Sequence, residues 1–318
     1  MNLDSTQLTT FATVVGEGSF EAAARLLNVT PSSVSQRIKA LERAVGQVLI
    51  QRAKPCHATE AGQSLLRFVE QMSLLEREAL HNARNLAAYP DGGEEDDGVV
   101  RVAVVVNADS LATWFLPALA SMAEESRNGR VPLLAFDIRQ DDQDHTVELL
   151  RNGSVMAAVT AERVVVQGCR IEPLGAMRYV AVSAPEFVVR HLDGTNDVVD
   201  PNGLAKALAR APVVAFDRKD TLQHRFVRSL GDGPAHMPTH YVPSVSAFNE
   251  AVRLGLGWAV VPETLARGYL DSGEYREVAP GRHLDIPLYW QHWRLDSKLL
   301  ELLTETVKRA ASAALVIG

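Results

Sequence analysis

The sequence predicts a multidomain α/β chain: a helical N-terminal segment with a short two-stranded wing, one long helix, and a larger α/β domain. Three observations carry this. Residues 3–88 keep a helical spacing of apolar side chains almost throughout. Residues 89–98, YPDGGEEDDG, interrupt it with one proline, three glycines and five acidic residues, a linker by composition. From Val99 onward, short Val-rich runs (99–106, 131–138, 155–160, 212–216, 257–262) alternate with helical stretches. Such alternation argues for parallel sheets covered by helices.

The N-terminal elements follow in order. Asp4 is placed to cap a first helix, with Gln7 three residues on. That helix carries Leu8, Phe11, Val14 and Val15 on one face, and Gly16 and Gly18 stop it. Ser19 caps a second, short helix, whose Ala23 and Ala24 let another helix approach closely. Asn28-Val29 turns the chain. Thr30 caps a third helix, with Pro31 at the first helical position, where a missing N–H costs nothing. Val34, Ile38, Leu41 and Val45 form its buried stripe. At about 100° per residue, Ser32, Gln36, Lys39 and Arg43 point the opposite way, with Ser33 at the margin. Hydroxyls, an amide and cations on one outward face suit the major groove of DNA. Gln pairs with adenine in two bonds, and Lys and Arg neutralise phosphates. The same face would also serve as an ordinary solvated surface. The succession of two short helices, a tight turn and a capped polar-faced helix favours a helix-turn-helix. Residues 48–52 then alternate like a strand, 53–56 turn, and 57–58 return, making a wing with Arg52 and Lys54 placed to meet the DNA backbone or the minor groove. Thr59 caps the long helix, predicted to reach about Ala88, roughly 45 Å at 1.5 Å per residue. Its stripe of Leu65, Val69, Met72, Leu75, Ala79, Ala83 and Leu86 calls for a partner, either a second subunit or its own domain.

Composition bounds the function. Across 318 residues the hydrophobic share is 47%, enough for sizeable cores and too much for a disordered chain. No run of about 18 apolar residues predicts a membrane helix. The start, Met1-Asn2-Leu3-Asp4, has neither the basic nor the apolar part of an export signal, so a cytoplasmic location is expected. Cys56 and Cys169, far apart, read as free thiols in a reducing compartment. The net charge of −7 argues against a protein that coats nucleic acid, but residues 1–89 hold nine Lys and Arg against eight Asp and Glu. The acidity therefore lies elsewhere, and the N-terminal unit remains free to bind DNA. There is no G-x-x-x-x-G-K-[ST], H-E-x-x-H, G-x-S-x-G or C-x-x-C, and the histidines show no metal-ligand spacing. No enzyme, cofactor or metal is expected.

The pattern resembles the LysR-type transcriptional regulators. The residues that carry the resemblance are Phe11 with Gly18-Ser19-Phe20, Ala22-Ala23-Ala24-Arg25-Leu26-Leu27, Thr30 through Ile38 with Leu41-Glu42, and Thr59-Glu60-Ala61-Gly62. Ile50 departs from it, standing where most members have Phe before the wing arginine. Further along, Asn107 through Trp114, Asp144-His145-Thr146, Gln167-Gly168-Cys169-Arg170, Met177-Arg178-Tyr179, Arg218-Lys219-Asp220, Gln223-His224-Arg225-Phe226 and Gly255-Leu256-Gly257-Trp258 are similar to the arginine- and lysine-responsive ArgP/LysG branch.

The resemblance implies a winged helix-turn-helix over 1–58, a linker and dimerisation helix with hinge over 59–98, and a two-lobed, periplasmic-binding-protein-like α/β effector domain over 99–318. Lobe I would hold about 99–166 and 269–318, and lobe II about 167–268. It further implies double-stranded DNA as partner, a homodimer or homotetramer, contact with RNA polymerase, and lysine or arginine as effector of a gene for amino-acid export. Some members carry an alternative role, inhibiting initiation of chromosome replication through the same DNA-binding head. On the DNA side the candidates are Ser32, Ser33, Gln36, Arg37, Lys39, Arg43, Arg52 and Lys54. Ligands of open α/β sheets bind where strands hand over to helices. The effector candidates are therefore Asp109, Ser110 and Thr113 after the first strand, Thr160, Asp217, and Ser244 with Ser246. Asp109 reads equally well as an N-cap or as the partner of a ligand cation.

Overall fold

The computed structural model describes residues 3–86, 99–140, 143–192, 201–231 and 236–317. The expected linker at 89–98 lies outside the described residues. The chain divides into two compact units, Met1–Val106 with Leu119–Glu172 and Trp290–Thr306, and Asn107–Ala118 with Pro173–Tyr289 and Val307–Gly318.

The first unit opens with α1 (Ser5–Glu17), α2 (Phe20–Leu26) and α3 (Pro31–Val45). Each starts on the side chain expected: Asp4 accepts from the Gln7 N–H, Ser19 from Ala22 and Thr30 from Ser33. Asn28 takes the left-handed conformation in the α2–α3 turn, which Asn tolerates better than most residues. Phe11, Val14, Ala23, Val34, Ile38 and Leu41 close one core with almost no exposure. Burying a large apolar side chain contributes about 1.5–3 kcal/mol, so this cluster fixes the attitude of α3. The wing pairs β1 (Ile50–Gln51) antiparallel with β2 (His57–Ala58). It is pinned to the end of α1, where the Cys56 N–H donates to the Gly18 carbonyl at 2.7 Å. Gly18 sits at φ +63°, and a Cβ there would lie 2.8 Å from the Cβ of Pro55.

Helix α4 (Glu60–Leu86) begins at Thr59, whose Oγ1 accepts from the Gly62 N–H and donates to the Val48 carbonyl. Its apolar stripe has two destinations. Leu65, Val69 and Met72 pack on the core of α1–α3, so this part is covered by its own domain and not held in reserve for a second subunit. Phe68 (48% exposed), Leu75 (38%) and Leu80 (52%) remain open.

The same unit continues with β3 (Val100–Val105), which pairs parallel with both β4 (Leu134–Arg139) and β5 (Ala157–Thr160). Helix α5 (Ala108–Ser110) and the π-helical turn after it (Leu111–Phe115) belong to the second unit and lead into α6 (Leu116–Arg127), and α7 (Gln143–Arg151) of the first unit precedes β5. Helix α4 is fastened to this α/β part. Gly153, at φ +80°, has no room for a Cβ because the Arg67 backbone passes 2.6 Å from that position. Arg67 donates to the Gln167 carbonyl and Arg77 to the Val99 carbonyl. Buried Glu78 accepts from the Ser297 hydroxyl (2.8 Å) and the Leu299 N–H (2.7 Å) at the start of the last helix.

Two long strands, β6 (Cys169–Ser183) and β11 (His283–Trp293), carry the chain into and out of the second unit. The compact units change over within these strands, at 173 and 290. Between them lie α8 (Pro185–Leu192), α9 (Pro201–Arg210), β7 (Val213–Ala215), α10 (Leu222–Leu230), β8 (Thr239–Tyr241), α11 (Val245–Arg253), β9 (Ala259–Pro262), α12 (Glu263–Asp271) and β10 (Arg276–Glu277). Helix α13 (Lys298–Ala314) ends the chain. Pairing here is mixed and not wholly parallel: β7 and β8 run parallel, whereas β9 and β10 pair antiparallel with β6. Trp258 anchors the unit, fully buried with its Nε1–H on the Leu208 carbonyl.

Replacing Glu78 with Ala leaves the Ser297 hydroxyl and the Leu299 N–H without their buried acceptor. A lost charged acceptor of this kind costs about 1–3 kcal/mol. Urea unfolding of E78A should show an unfolding free energy lower by that amount, with a lower midpoint, and an unchanged midpoint would show the contact to be idle.

Candidate DNA-binding and effector sites

Because Val34, Ile38 and Leu41 are held in the core, the opposite side of α3 is presented outward. Ser32, Gln36, Lys39 and Arg43 are all exposed. Two other candidates are engaged locally. Ser33 Oγ lies 2.9 Å from Thr30 Oγ1 at the helix cap, and Arg37 turns back to donate to Thr10 Oγ1 at 3.3 Å. Their place is therefore in fixing α3 rather than on its outer face. In the wing, Arg52 stacks over the Phe20 ring at 4.8 Å, which leaves its charge exposed at a set position, and Lys54 is exposed at the tip. An exposed amide flanked by hydroxyl and cations, with two more cations on a wing, has the chemistry that base edges and phosphates call for.

The second unit contains a cleft of about 190 Å³. Asn107 and Asp109 line it from the start of α5, Phe216 and Asp220 from beyond β7, and Phe248 and Asn249 from α11. Asn107, not Asp109, caps the helix, its Oδ1 accepting from the Ser110 N–H at 2.7 Å. That frees the Asp109 carboxylate, which accepts the Tyr179 hydroxyl at 2.7 Å. Burial pushes the Asp109 carboxyl up to about 6; the Tyr179 bond works against this and the Asp220 charge adds to it. Burial and the Asp109 charge likewise hold the Tyr179 hydroxyl well above its ordinary range. Asp220 is fixed by the N–H groups of Phe216 and Leu222 and by Gln223 Nε2. Among the described lining residues there are two carboxylates and no Lys, Arg or His. Val245, also in the lining, opens α11, whose N-cap Ser244 makes no side-chain capping bond, so first-turn N–H groups are available to an anion.

The remaining effector candidates go elsewhere. Asp217 is exposed and caps the 217–220 turn through the N–H groups of Lys219 and Asp220; the carboxylate in the cleft is Asp220, three residues on. Ser244 and Ser246 are exposed and 3.2 Å apart through their hydroxyls, flanking Val245 without joining the lining. Ser110 is fully buried with an unpartnered Oγ, and Thr113 donates to the Asp109 carbonyl and lines a separate cavity of about 30 Å³. Thr160, in the first unit, uses its hydroxyl to accept from the Glu162 N–H. The sequence reading missed Asp220, Tyr179 and Asn249 as site residues. The doublet Asp217-Arg218-Lys219-Asp220 held the one usable signal, since a first Asp that caps a turn leaves the second to face the strand end.

A DNA-reading head joined to a ligand-binding α/β domain defines a transcription regulator governed by a small molecule. Residues 5–63 match the model of the bacterial regulatory helix-turn-helix protein, lysR family, and residues 93–312 match the LysR substrate binding domain. The chain belongs to the LysR family, whose members are DNA-binding transcription regulators acting as oligomers, and it is not an enzyme. It is 42% identical to the lysine export transcriptional regulatory protein LysG of Corynebacterium efficiens, over 97% of this chain and 98% of that one. The crystal structure of ArgP from Mycobacterium tuberculosis is similar with a TM-score of 0.82 at 44% identity, covering all of both chains. Full-length LysG from Corynebacterium glutamicum with bound effector Arg is similar with a TM-score of 0.74 at 37% identity, over 98% of this chain and 99% of that one.

Two outcomes follow from the geometry. Gln36→Ala should weaken binding to the cognate operator by about 1–3 kcal/mol and leave binding to random DNA nearly unchanged. Equal losses on both DNAs at fixed salt would remove Gln36 from base reading. For Asp109, the folded-state value of about 6 lies above the ordinary carboxyl value of 3.8. The ligand-free chain therefore binds this proton more tightly than the unfolded chain does. The ionised carboxylate costs stability above pH 6, on the order of 1–3 kcal/mol, and the cost fades as the pH falls through 6 towards 4. Asp109→Asn should accordingly exceed wild type in urea stability at pH 8, with the gap closing at pH 4.5. A gap independent of pH would contradict this.

Proposed function

We propose that this chain regulates transcription in response to a basic amino acid, lysine or arginine, and that the regulated gene encodes an amino-acid exporter. The observation that carries the reading is the pair Asp109 and Asp220 in a cleft whose described lining supplies no cation. A carboxylate withdrawn from water is stable when paired, and a basic amino acid brings two cations. Its methylene stem suits the apolar walls at Phe216 and Phe248, and its α-carboxylate suits the uncapped start of α11. The arginine bound by the Corynebacterium glutamicum protein and the lysine-export role in the name of the Corynebacterium efficiens protein support the same assignment. Inhibition of replication initiation would need only the same DNA-binding head, and the names of the relatives favour transcription.

The regulator would work in the cytoplasm; no helix among the described residues is long and apolar enough to cross a membrane. The exposed Phe68, Leu75 and Leu80 of α4 support a homodimer joined through this helix, from which a tetramer could be built.

Calorimetry on the full chain tests the effector assignment. Lysine or arginine should bind, and norleucine, which keeps the stem but lacks the distal ammonium, should bind about a hundredfold more weakly, since unpairing a buried charge costs roughly 2–5 kcal/mol. Asp109→Asn should weaken the basic amino acid comparably. Norleucine binding as well as lysine, or failure of both basic amino acids to bind, would contradict the assignment.

A further inference from the structure

Glu42 lies on α3 between Lys39 and Arg43, three residues after the one and next to the other. A glutamate at this distance from a lysine on a helix ordinarily makes a surface ion pair. Among the described residues Glu42 makes none, and Arg43 turns its Nε–H onto the Lys39 carbonyl at 3.1 Å. The Glu42 side chain reaches past the end of the helix instead, where its Oε1 accepts the Leu49 N–H at 2.9 Å. Its main-chain carbonyl accepts the N–H groups of Gly46 (2.8 Å) and Gln47 (3.2 Å). Three donors from the segment that leaves α3 therefore converge on one residue.

Leu49 passes the connection on. It is fully buried, and its carbonyl accepts the Thr59 N–H at 2.9 Å. Thr59 is the residue on which α4 starts, and its Oγ1 also donates to the Val48 carbonyl at 2.7 Å. Gly62, in the first turn of α4, has no room for a Cβ because the Leu49 carbonyl lies against it. A chain of bonds thus runs from the Glu42 carboxylate through one buried residue to the cap of α4. The packing of Leu65, Val69 and Met72 on the head core holds α4 close, but apolar contact is non-directional. Hydrogen bonds weaken steeply when bent, so the chain of bonds fixes the angle that the packing leaves open.

We propose that Glu42 is a positioning residue for operator recognition: it sets the angle between the reading helix α3 and the helix α4, and through that angle the spacing of half-sites that a dimer occupies. This rests on the homodimer joined through α4 that is proposed above. In such a dimer each α4 carries its own α3, so the angle between them places the two reading faces on the duplex. Half-sites one turn apart are about 34–36 Å from centre to centre, and each base pair of displacement moves a half-site by about 3.4 Å and turns it by roughly 35°. A small change of angle therefore exchanges one preferred spacing for several poor ones. A carboxylate beside the reading face also repels phosphates, so the acceptor oxygen, and not the charge, is what DNA recognition uses.

The test is a set of binding titrations at fixed salt with the full chain. The probe is a duplex that wild type selects from a random pool, rebuilt with its half-sites moved in single-base-pair steps, beside a duplex carrying one half-site. Wild type should prefer one spacing by on the order of tenfold over spacings displaced by a few base pairs. Glu42→Ala should flatten this preference to within about threefold, keep its affinity for the single half-site within about threefold of wild type, and still sediment as a dimer. Glu42→Gln keeps the acceptor oxygen, so it should keep the spacing preference; having lost a negative charge, it should bind random DNA more tightly than wild type. Glu42→Asp, one methylene short of the Leu49 N–H, should lose the preference as alanine does, and it reads the same contact if the alanine variant does not fold. The proposal is overturned if a dimeric Glu42→Ala or Glu42→Asp keeps the wild-type preference. It is overturned equally if either loses the single half-site as severely as the full operator, which would make Glu42 a support of α3 alone, or if Glu42→Gln loses the preference, which would make its charge the active feature. A wild-type chain that sediments as a monomer on the operator would overturn the homodimer reading and this proposal with it.

Discussion

A carboxylate held away from water beside another carboxylate is unstable unless something positive reaches it. Asp109 is in that position, with Asp220 near it and the Tyr179 hydroxyl donating a hydrogen bond to it. The hydrogen bond offsets part of the desolvation cost and leaves the carboxyl with its proton affinity raised to about 6. The cleft therefore stores an unfavourable interaction that a cationic ligand relieves and a neutral ligand of the same shape does not. The proposed selectivity for a basic amino acid rests on this difference, since a site left with an unpaired buried charge rejects the wrong ligand far more strongly than a slightly misfitting apolar wall does.

The DNA head solves a separate problem with the opposite arrangement. Its cations are kept in water, and its core exists to hold them in place. Phe11, Val34, Ile38 and Leu41 lock α3 against α1, Arg37 donates one hydrogen bond to Thr10 of α1, and Gly18 lets the wing lie against the end of α1. What remains exposed on α3 is a polar face whose spacing is set by packing behind it. Helix α4 carries this arrangement into the α/β part of the same unit. Its join is polar as well as apolar: Glu78 accepts the Leu299 N–H and the Ser297 hydroxyl at the start of α13, where the positive end of the helix favours an anion. A helix fastened at both ends transmits orientation, whereas a helix fastened at one end would swing.

Much of this was legible in the sequence, for reasons that differ by element. The caps at Asp4, Ser19, Thr30 and Thr59 were readable because capping depends on residues three apart in the chain. The Val-rich strands β3, β5, β7 and β9 were readable because buried strands run as continuous apolar stretches. Strands β6 and β11 were not, since their outer halves alternate with charged residues such as Arg170, Glu172 and Asp285 and so resemble loops. In α4 the apolar spacing was visible but its division was not: Val69 faces the head and Phe68 faces out, one residue apart, and only the packing of α1 and α3 decides which is covered. Asp109 could be singled out from its place after a strand, yet whether it or Asn107 capped the helix needed coordinates. Asp220 escaped because Asp217, nearer the strand, looked like the better candidate and turned out to be spent on its own turn.

The central claim is that a ligand cation discharges the unfavourable state of Asp109. The most direct measurement is the proton count on binding. At pH 6 the ligand-free carboxyl, with its value of about 6, is half protonated, and the cation should drive that proton off. Arginine or lysine titrated calorimetrically at pH 6, in two buffers of widely different ionisation enthalpy, should release about half a proton per site. Asp109→Asn should release close to none. Binding of the basic amino acid with no proton released by wild type, or with the same release from the variant, would contradict the account.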